Sequence, residues 1–277
     1  MTGIARSVAR AFGAGGRDAD RSLLLAGLLV ALSALAWSAL WLWNASPYGR
    51  YLQHGGWDDA GVLAALCRAV PQGDIMVPAV LHAGGWVLMI AAMMLPTTYP
   101  VLAIFRRITA GRPDAGRLTA LVVSGFFAAW FAFGLAAHAV DALLHFAASR
   151  SPALLVYGWA VGAAVLAGAG LFQFSALKYR CLEQCHTPFA FVGSRWHGRA
   201  PLLEAWRLGV DHGVFCVGCC WALMLLMFVV GTGSLGWMLV LAAVMAAEKN
   251  LPWGRRLRTP LGIGLLGWGG AIAIAHL

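Results

Sequence analysis

The stretch Ser22–Trp43, SLLLAGLLVALSALAWSALWLW, runs for 22 residues without a charged side chain. A membrane-spanning helix needs about 20 predominantly apolar residues, so this stretch is long enough to cross a bilayer. Basic residues precede it, as in a signal peptide, but the apolar run is too long and no convincing small-residue cleavage site follows. We therefore predict an uncleaved first span, with Trp37, Trp41 and Trp43 at its outer interface.

The rest of the chain repeats this pattern. Of its 277 residues, 61% are hydrophobic and only 11% are charged, which argues against a soluble domain and against a disordered chain. The sequence predicts an all-α, polytopic transmembrane bundle in one domain, residues 1–277. Seven spans are expected, at 22–43, 78–102, 118–141, 153–177, 210–230, 234–250 and 260–277. Six spans with a re-entrant piece are an open alternative, because only the Gly231–Gly236 break separates the fifth span from the sixth.

The basic residues alternate between the two sides of the predicted bundle. Seventeen of the 20 lysines and arginines fall before the first span or in every second connection, which predicts a cytoplasmic N-terminus. The connection 44–77 is then an outer loop and 178–209 a cytoplasmic loop. The net charge of +9 is attributed to topology and to anionic lipid head groups, and no nucleic-acid partner is expected.

Soft metal donors follow one face of the fifth predicted span. They are His212, Cys216, Cys219, Cys220, Met224 and Met227. Residues three and four positions apart share a helix face. Thiolates and thioethers together favour Cu(I), since Met is not a usual zinc ligand. The alternative is that these side chains only pack as small or flexible apolar groups.

The second span supplies further thioethers at a predicted kink. Pro96 lacks an N–H, so the carbonyl oxygen of Ala92 loses its helical partner next to Met93 and Met94. At the inner ends of other spans, Asp211 and Glu248 each precede a basic residue. Pairing with that neighbour, His212 or Lys249, is the default expectation, with a proton or metal role as the alternative.

A second cysteine cluster lies in the predicted cytoplasmic loop. Cys181 and Cys185 share a face if the fourth helix continues through them, and His186 follows. A role in metal relay or docking is weighed against two inert thiols. A structural disulfide is disfavoured on the reducing side of the membrane. Cys67, in the outer loop, has no outer partner cysteine.

Three motifs in order resemble a known family. They read Trp86-x-x-Met89-x-x-Ala92-Met93-Met94-x-Pro96-x-x-x-Pro100, Lys178-x-x-Cys181-Leu182-x-x-Cys185-x-x-Pro188, and Gly213-x-x-Cys216-x-Gly218-Cys219-Cys220-Trp221-x-Leu223-Met224, ending in Glu248-Lys249. Together they resemble the DUF2182 family of integral membrane proteins, described as metal-binding or as copper chaperones, which includes the membrane partner of bacterial polyphenol oxidases. The resemblance implies copper handling in a bacterial inner (plasma) membrane, with delivery to a copper oxidase. His186 departs from the basic residue, such as Arg, expected there.

The leading hypothesis is a multi-pass protein that binds Cu(I) between the second, fifth and sixth spans and passes it to a copper-oxidase or metallochaperone partner. The expected ligands are Cys216, Cys219 and Cys220 as primary donors, Met93, Met94 and Met224 as weaker donors, and Cys181 with Cys185 as an entry site. One rival is a thiol–disulfide oxidoreductase using Cys216 and Cys219. Another is a structural assembly subunit whose cysteines only pack. No nucleophile–base pair stands out, which favours a binding protein over an enzyme.

Overall fold

The computed structural model describes residues 16–46, 76–150, 158–230 and 234–276, and these ranges contain helices and no strand. Two short 3-10 helices, Leu95–Thr98 and Gly254–Leu257, lie between α-helices. The α-helices are α1 Gly16–Ala45, α2 Met76–Met93, α3 Tyr99–Ile108, α4 Ala115–Arg150, α5 Gly158–Phe172, α6 Ala176–His186, α7 Pro188–Gly193, α8 Pro201–Val230, α9 Leu235–Asn250 and α10 Arg258–Ala275. The all-α prediction is confirmed.

Four helical segments are long and apolar enough to cross a membrane without a break, namely Ser22–Ala45, Ala115–Val140, Pro201–Met227 and Gly254–Ala275. Two bent pairs bring the count to six if each pair is one span. Helix α9 has 16 residues and is about 24 Å long, shorter than a typical hydrocarbon core of about 30 Å. The described part of the chain thus agrees with the predicted bundle, and its short α9 matches the six-span alternative better than a seventh full span. Most of the predicted outer loop 44–77 lies outside the described residues.

The first bend confirms the kink expected at Pro96. Helix α2 ends at Met93, and the segments on either side of the break differ in direction by 49°. The Ala92 carbonyl oxygen, which has lost its helical partner, accepts a hydrogen bond of 2.8 Å from Ser33 Oγ of α1. This contact satisfies a buried acceptor and fixes α1 against the bend.

The second bend lies between α5 and α6, whose directions differ by 60°. Ser175 caps α6 by accepting a hydrogen bond of 3.1 Å from the backbone N–H of Lys178, so a new helix carries the chain through Cys181 and Cys185 in the predicted connection 178–209. Helix α8 begins at Pro201, nine residues before the predicted start at 210. Only a short connection then separates α7 from α8, and the Glu204 carboxylate closes it by accepting from the backbone N–H groups of residues 197–200.

Helix α8 is the centre of the bundle, in contact with α4, α5, α6 and α9. Its approach to α4 depends on glycine. A Cβ at Gly209 would overlap the Val122 carbonyl oxygen, and one at Gly213 would lie 2.6 Å from Ala129 Cβ. Gly125 of α4 meets the Trp206 carbonyl oxygen in the same way. These small residues let the two backbones touch, which is how membrane helices pack closely.

Candidate metal centre

A buried core rich in sulfur surrounds the middle of α8. Its buried members include Met89, Met93, Met94, Cys181, Cys216, Cys219, Cys220, Met224, Met227, Met238 and Met245. They come from α2, α6, α8 and α9, so sulfurs from four helices share one core. The sequence prediction that several helices bring sulfur donors into one interior region is consistent with this packing.

The three cysteines of α8 are each 1% exposed, and their side chains lie together on one face of the helix. Cys219 Sγ lies 3.3 Å from Cys220 Sγ and donates to the Cys216 carbonyl oxygen at 3.1 Å. All three are free cysteines. The helical period accounts for their grouping, because residues at i, i+3 and i+4 lie on one face.

The two cysteines of α6 lie in or against the same core as the three cysteines of α8. Cys185 is partly buried against the sulfur-rich core and interacts electrostatically with Cys219. Cys181 packs over Gly218, where a Cβ would lie only 2.5 Å from its sulfur, and it interacts electrostatically with Cys220. Because Gly218 has no side chain, α6 can pack closely against α8 at this point. We call Cys181, Cys185, Cys216, Cys219 and Cys220 the thiol cluster.

Cys216 differs from the other thiols because two N–H donors reach its sulfur. Trp130 Nε1 of α4 donates at 3.3 Å, and Lys249 Nζ of α9 donates at 2.9 Å. Trp130 is itself fixed, since its carbonyl oxygen accepts a hydrogen bond of 3.0 Å from Trp86 Nε1, and Trp86 packs where Gly134 has no side chain. The ammonium group of Lys249 also lies 3.6 Å from Met94 Sδ.

A second buried lysine lies beside the thiol cluster. Lys178 Nζ of α6 contacts both carboxylate oxygens of Glu248, at 2.9 and 2.7 Å, and also Gln173 Oε1. His186 Nε2 hydrogen-bonds with the Glu248 carbonyl oxygen at 2.8 Å. This network holds α6, which carries Cys181 and Cys185, against α9.

The expectation that Glu248 and Asp211 pair with their sequence neighbours is wrong. Glu248 pairs with Lys178, and Asp211 pairs with Arg195 at 2.8 Å. Adjacent residues on a helix point about 100° apart, so Lys249 turns toward Cys216 while Glu248 turns toward α6. Tertiary packing decides both partners.

The remaining predicted ligands are buried but are less closely tied to the thiols. Met93 and Met224 belong to the sulfur-rich core. The His212 ring stacks on Phe126 and meets Phe191 edge-on, with both centroid distances 5.6 Å. These contacts describe a histidine enclosed by aromatic rings. A metal-binding role for His212, Met93 and Met224 stays a prediction.

The thiol cluster is not a preformed metal site. Among the described ranges, no group of three or more His, Cys, Asp or Glu side chains has a geometry ready for a metal ion. With metal–sulfur bonds of about 2.3 Å, two sulfurs on one tetrahedral ion are about 3.8 Å apart. The 3.3 Å between Cys219 and Cys220 sulfurs is shorter, so a shared ion would require these side chains to separate slightly.

Lys178, Lys249 and Trp130 are site residues that the sequence did not identify. Both lysines were counted among the basic residues that set topology, yet they are 0% and 4% exposed. A signal was present for Lys249, because the Glu248-Lys249 pair closes the third motif. Trp130 lies in a span rich in aromatic residues, and nothing in its local pattern distinguishes it.

A family model described as PpoB2, copper chaperone, matches residues 83–272. The chain belongs to this copper chaperone family. The matched range contains all five cysteines of the thiol cluster, both buried lysines and Trp130. The copper-related part of the predicted resemblance is thereby confirmed. No curated protein and no solved structure gives a significant match.

Proposed function

We propose that this copper chaperone family member is a multi-pass membrane protein that holds Cu(I) at the thiol cluster and delivers it to a copper-oxidase or metallochaperone partner. One observation supports this most strongly: five free cysteines from α6 and α8 meet in one largely buried place. Soft sulfur donors match Cu(I) better than they match magnesium or calcium, which prefer oxygen.

The methionines extend the proposed donor set beyond the thiols. Met93 and Met94 lie at the break after α2, and Met224 lies one turn beyond Cys220 on α8. Thioethers are weak, neutral donors, so they can accept an ion briefly without trapping it. We propose that they act as secondary ligands during transfer, with Cys216, Cys219 and Cys220 nearer the principal site.

The position of α6 supports an entry role for its two cysteines. Cys185 is only partly buried, whereas Cys181 is 7% exposed and faces α8. A copper ion arriving at Cys185 has the Cys219 thiol in the same core, close enough to interact electrostatically with Cys185. Exchange between adjacent thiols then needs no long movement, and we propose this as the path from the predicted cytoplasmic side.

Copper analysis of purified full-length protein tests the proposal. The protein is loaded anaerobically with Cu(I), freed of unbound metal by gel filtration, and compared with the triple variant Cys216→Ser, Cys219→Ser, Cys220→Ser. Cys67→Ser is the matched control, because it removes a cysteine outside the thiol cluster. We expect retained copper in the wild type and the control and loss of copper in the triple variant. Equal copper content in all three would contradict the proposal.

A separate experiment on intact cells distinguishes the alternative of a thiol–disulfide oxidoreductase. Alkylation of the cysteines in intact cells, before and after reduction, measures how much of Cys216 and Cys219 is oxidised. A redox-cycling pair is partly disulfide under these conditions, whereas a copper site keeps both thiols reduced.

A further inference from the structure

The five thiols of the cluster are not equivalent, and the difference lies in what faces each sulfur. Cys219 contacts the thiol of Cys220, and its charged form interacts electrostatically with Cys185. Cys216 instead accepts from two nitrogen donors on two other helices, Trp130 and Lys249. These two N–H groups fill two of the directions from which a metal ion could approach the Cys216 sulfur.

Apart from Cys216, the described residues offer the Lys249 ammonium group no other short contact. Its remaining contacts are longer, 3.5 Å to Thr97 Oγ1 and 3.6 Å to Met94 Sδ. The carboxylate of the neighbouring Glu248 already forms an ion pair with Lys178. Loss of Cys216 as an acceptor would leave a buried ammonium group without its shortest contact, which is strongly unfavourable in a low-dielectric interior.

A copper ion at Cys216 would also meet a like charge. Cu(I) and the ammonium group each carry one positive charge, and repulsion between charges a few ångströms apart grows as the surroundings become less polar. Cys219 and Cys220 have no such cation as a direct hydrogen-bond donor in the described contacts. The ammonium group therefore favours copper on their side of the cluster.

We propose that Lys249 is a positioning residue whose ammonium group keeps copper away from Cys216 and Met94. The ion first binds among Cys181, Cys185, Cys219 and Cys220, and it reaches Cys216 only when the Lys249 side chain moves aside. This inference rests on the proposed function and refines it, since Cys216 and Met94 become ligands only in a later step, after the four other thiols of the thiol cluster.

A double-mutant cycle tests the division. Full-length wild type, Cys216→Ser, Cys219→Ser, Lys249→Leu and the double variant Cys216→Ser, Lys249→Leu are titrated with Cu(I) against a colorimetric Cu(I) chelator. Leu is used because, unlike Met, it adds no thioether that could bind copper. With Lys249 present, we expect Cys216→Ser to change the affinity by less than about threefold, while Cys219→Ser lowers it by about tenfold or more. In the Lys249→Leu background, Cys216 becomes available, and its replacement by Ser is expected to lower the affinity by about tenfold.

A merely structural role for Lys249 predicts the same effect of Cys216→Ser in both backgrounds, and that result would overturn the inference. So would a tenfold loss from Cys216→Ser alone, because it would make Cys216 a ligand while Lys249 is in place. This single variant can overturn the inference even if Lys249→Leu does not fold. Absence of copper from the wild type would overturn the proposed function together with the inference, whereas copper binding without coupling would overturn the inference alone.

Discussion

Two lysines lie buried within the same part of the bundle, and they have opposite surroundings. Lys178 meets a carboxylate through two short contacts, so the charge of the pair is balanced. Lys249 meets the sulfurs of Cys216 and Met94 and a threonine hydroxyl. The first arrangement is a structural ion pair that ties α6 to α9. The second places a fixed positive charge against donors suited to a soft cation, which is a poor arrangement for stability alone.

The comparison indicates which of the two buried lysine charges is less well compensated by its surroundings. A buried charge is costly unless it is paired, and Lys178 follows that rule through Glu248. Lys249 follows it less well, and its compensation comes from the cluster where copper is proposed to bind. We infer that breaking the Lys178–Glu248 pair destabilises the protein, whereas removing the charge of Lys249 stabilises it.

The largest effect is expected from Glu248→Ala. It leaves the Lys178 ammonium group buried without its carboxylate, and breaking one side of a buried pair costs about 3–5 kcal/mol. Thermal or denaturant unfolding of the purified protein in detergent measures this loss. The double variant Lys178→Met, Glu248→Met is the control, because removing both charges is expected to recover most of the loss. A fully stable Glu248→Ala protein would show that Lys178 does not depend on this pair.

A smaller effect of opposite sign is expected from Lys249→Met. The substitution removes a buried charge but keeps most of the side-chain volume, and we expect the free energy of unfolding to rise by about 1–2 kcal/mol, by analogy with buried charges replaced by apolar groups. The measurement is the same unfolding experiment without copper. Destabilisation as large as that of Glu248→Ala would mean that Lys249 has a structural role equal to that of Lys178.

The smallest effect is expected from Asp211→Asn. Its partner Arg195 is 24% exposed and Asp211 is 49% exposed, so solvent screens the pair. Pairs of this kind contribute about 0–1 kcal/mol. The same unfolding measurement compares this half-exposed pair with the buried one. A loss matching that of Glu248→Ala would contradict the argument that burial sets the difference.

Local rules in the sequence predicted the helical parts of this account. Apolar length predicted the long helices, and the helical period predicted that Cys216, Cys219 and Cys220 lie on one face. Pro96 predicted the break beside Met93 and Met94. Each of these depends on residues only a few positions apart, where backbone geometry dictates the outcome.

The sequence did not predict the long-range contacts that the two buried lysines make in the site. Lys178 and Glu248 are 70 positions apart, and Lys249 and Cys216 are 33 apart. In a membrane protein, lysine near the end of an apolar segment ordinarily marks topology, so neither residue was expected in the interior. The cap at Ser175 was also missed, and it is the cap that turns α6 back onto α8 and joins the two groups of cysteines.

X-ray absorption at the copper K edge tests the central claim most directly. Full-length protein is loaded anaerobically with Cu(I), and the atoms bound to the metal are identified from the scattering of the first shell. Copper held by the thiol cluster has a first shell of sulfur, at roughly the 2.3 Å of metal–thiolate bonds. A first shell of nitrogen or oxygen, or a protein that retains no copper after gel filtration, would contradict the account.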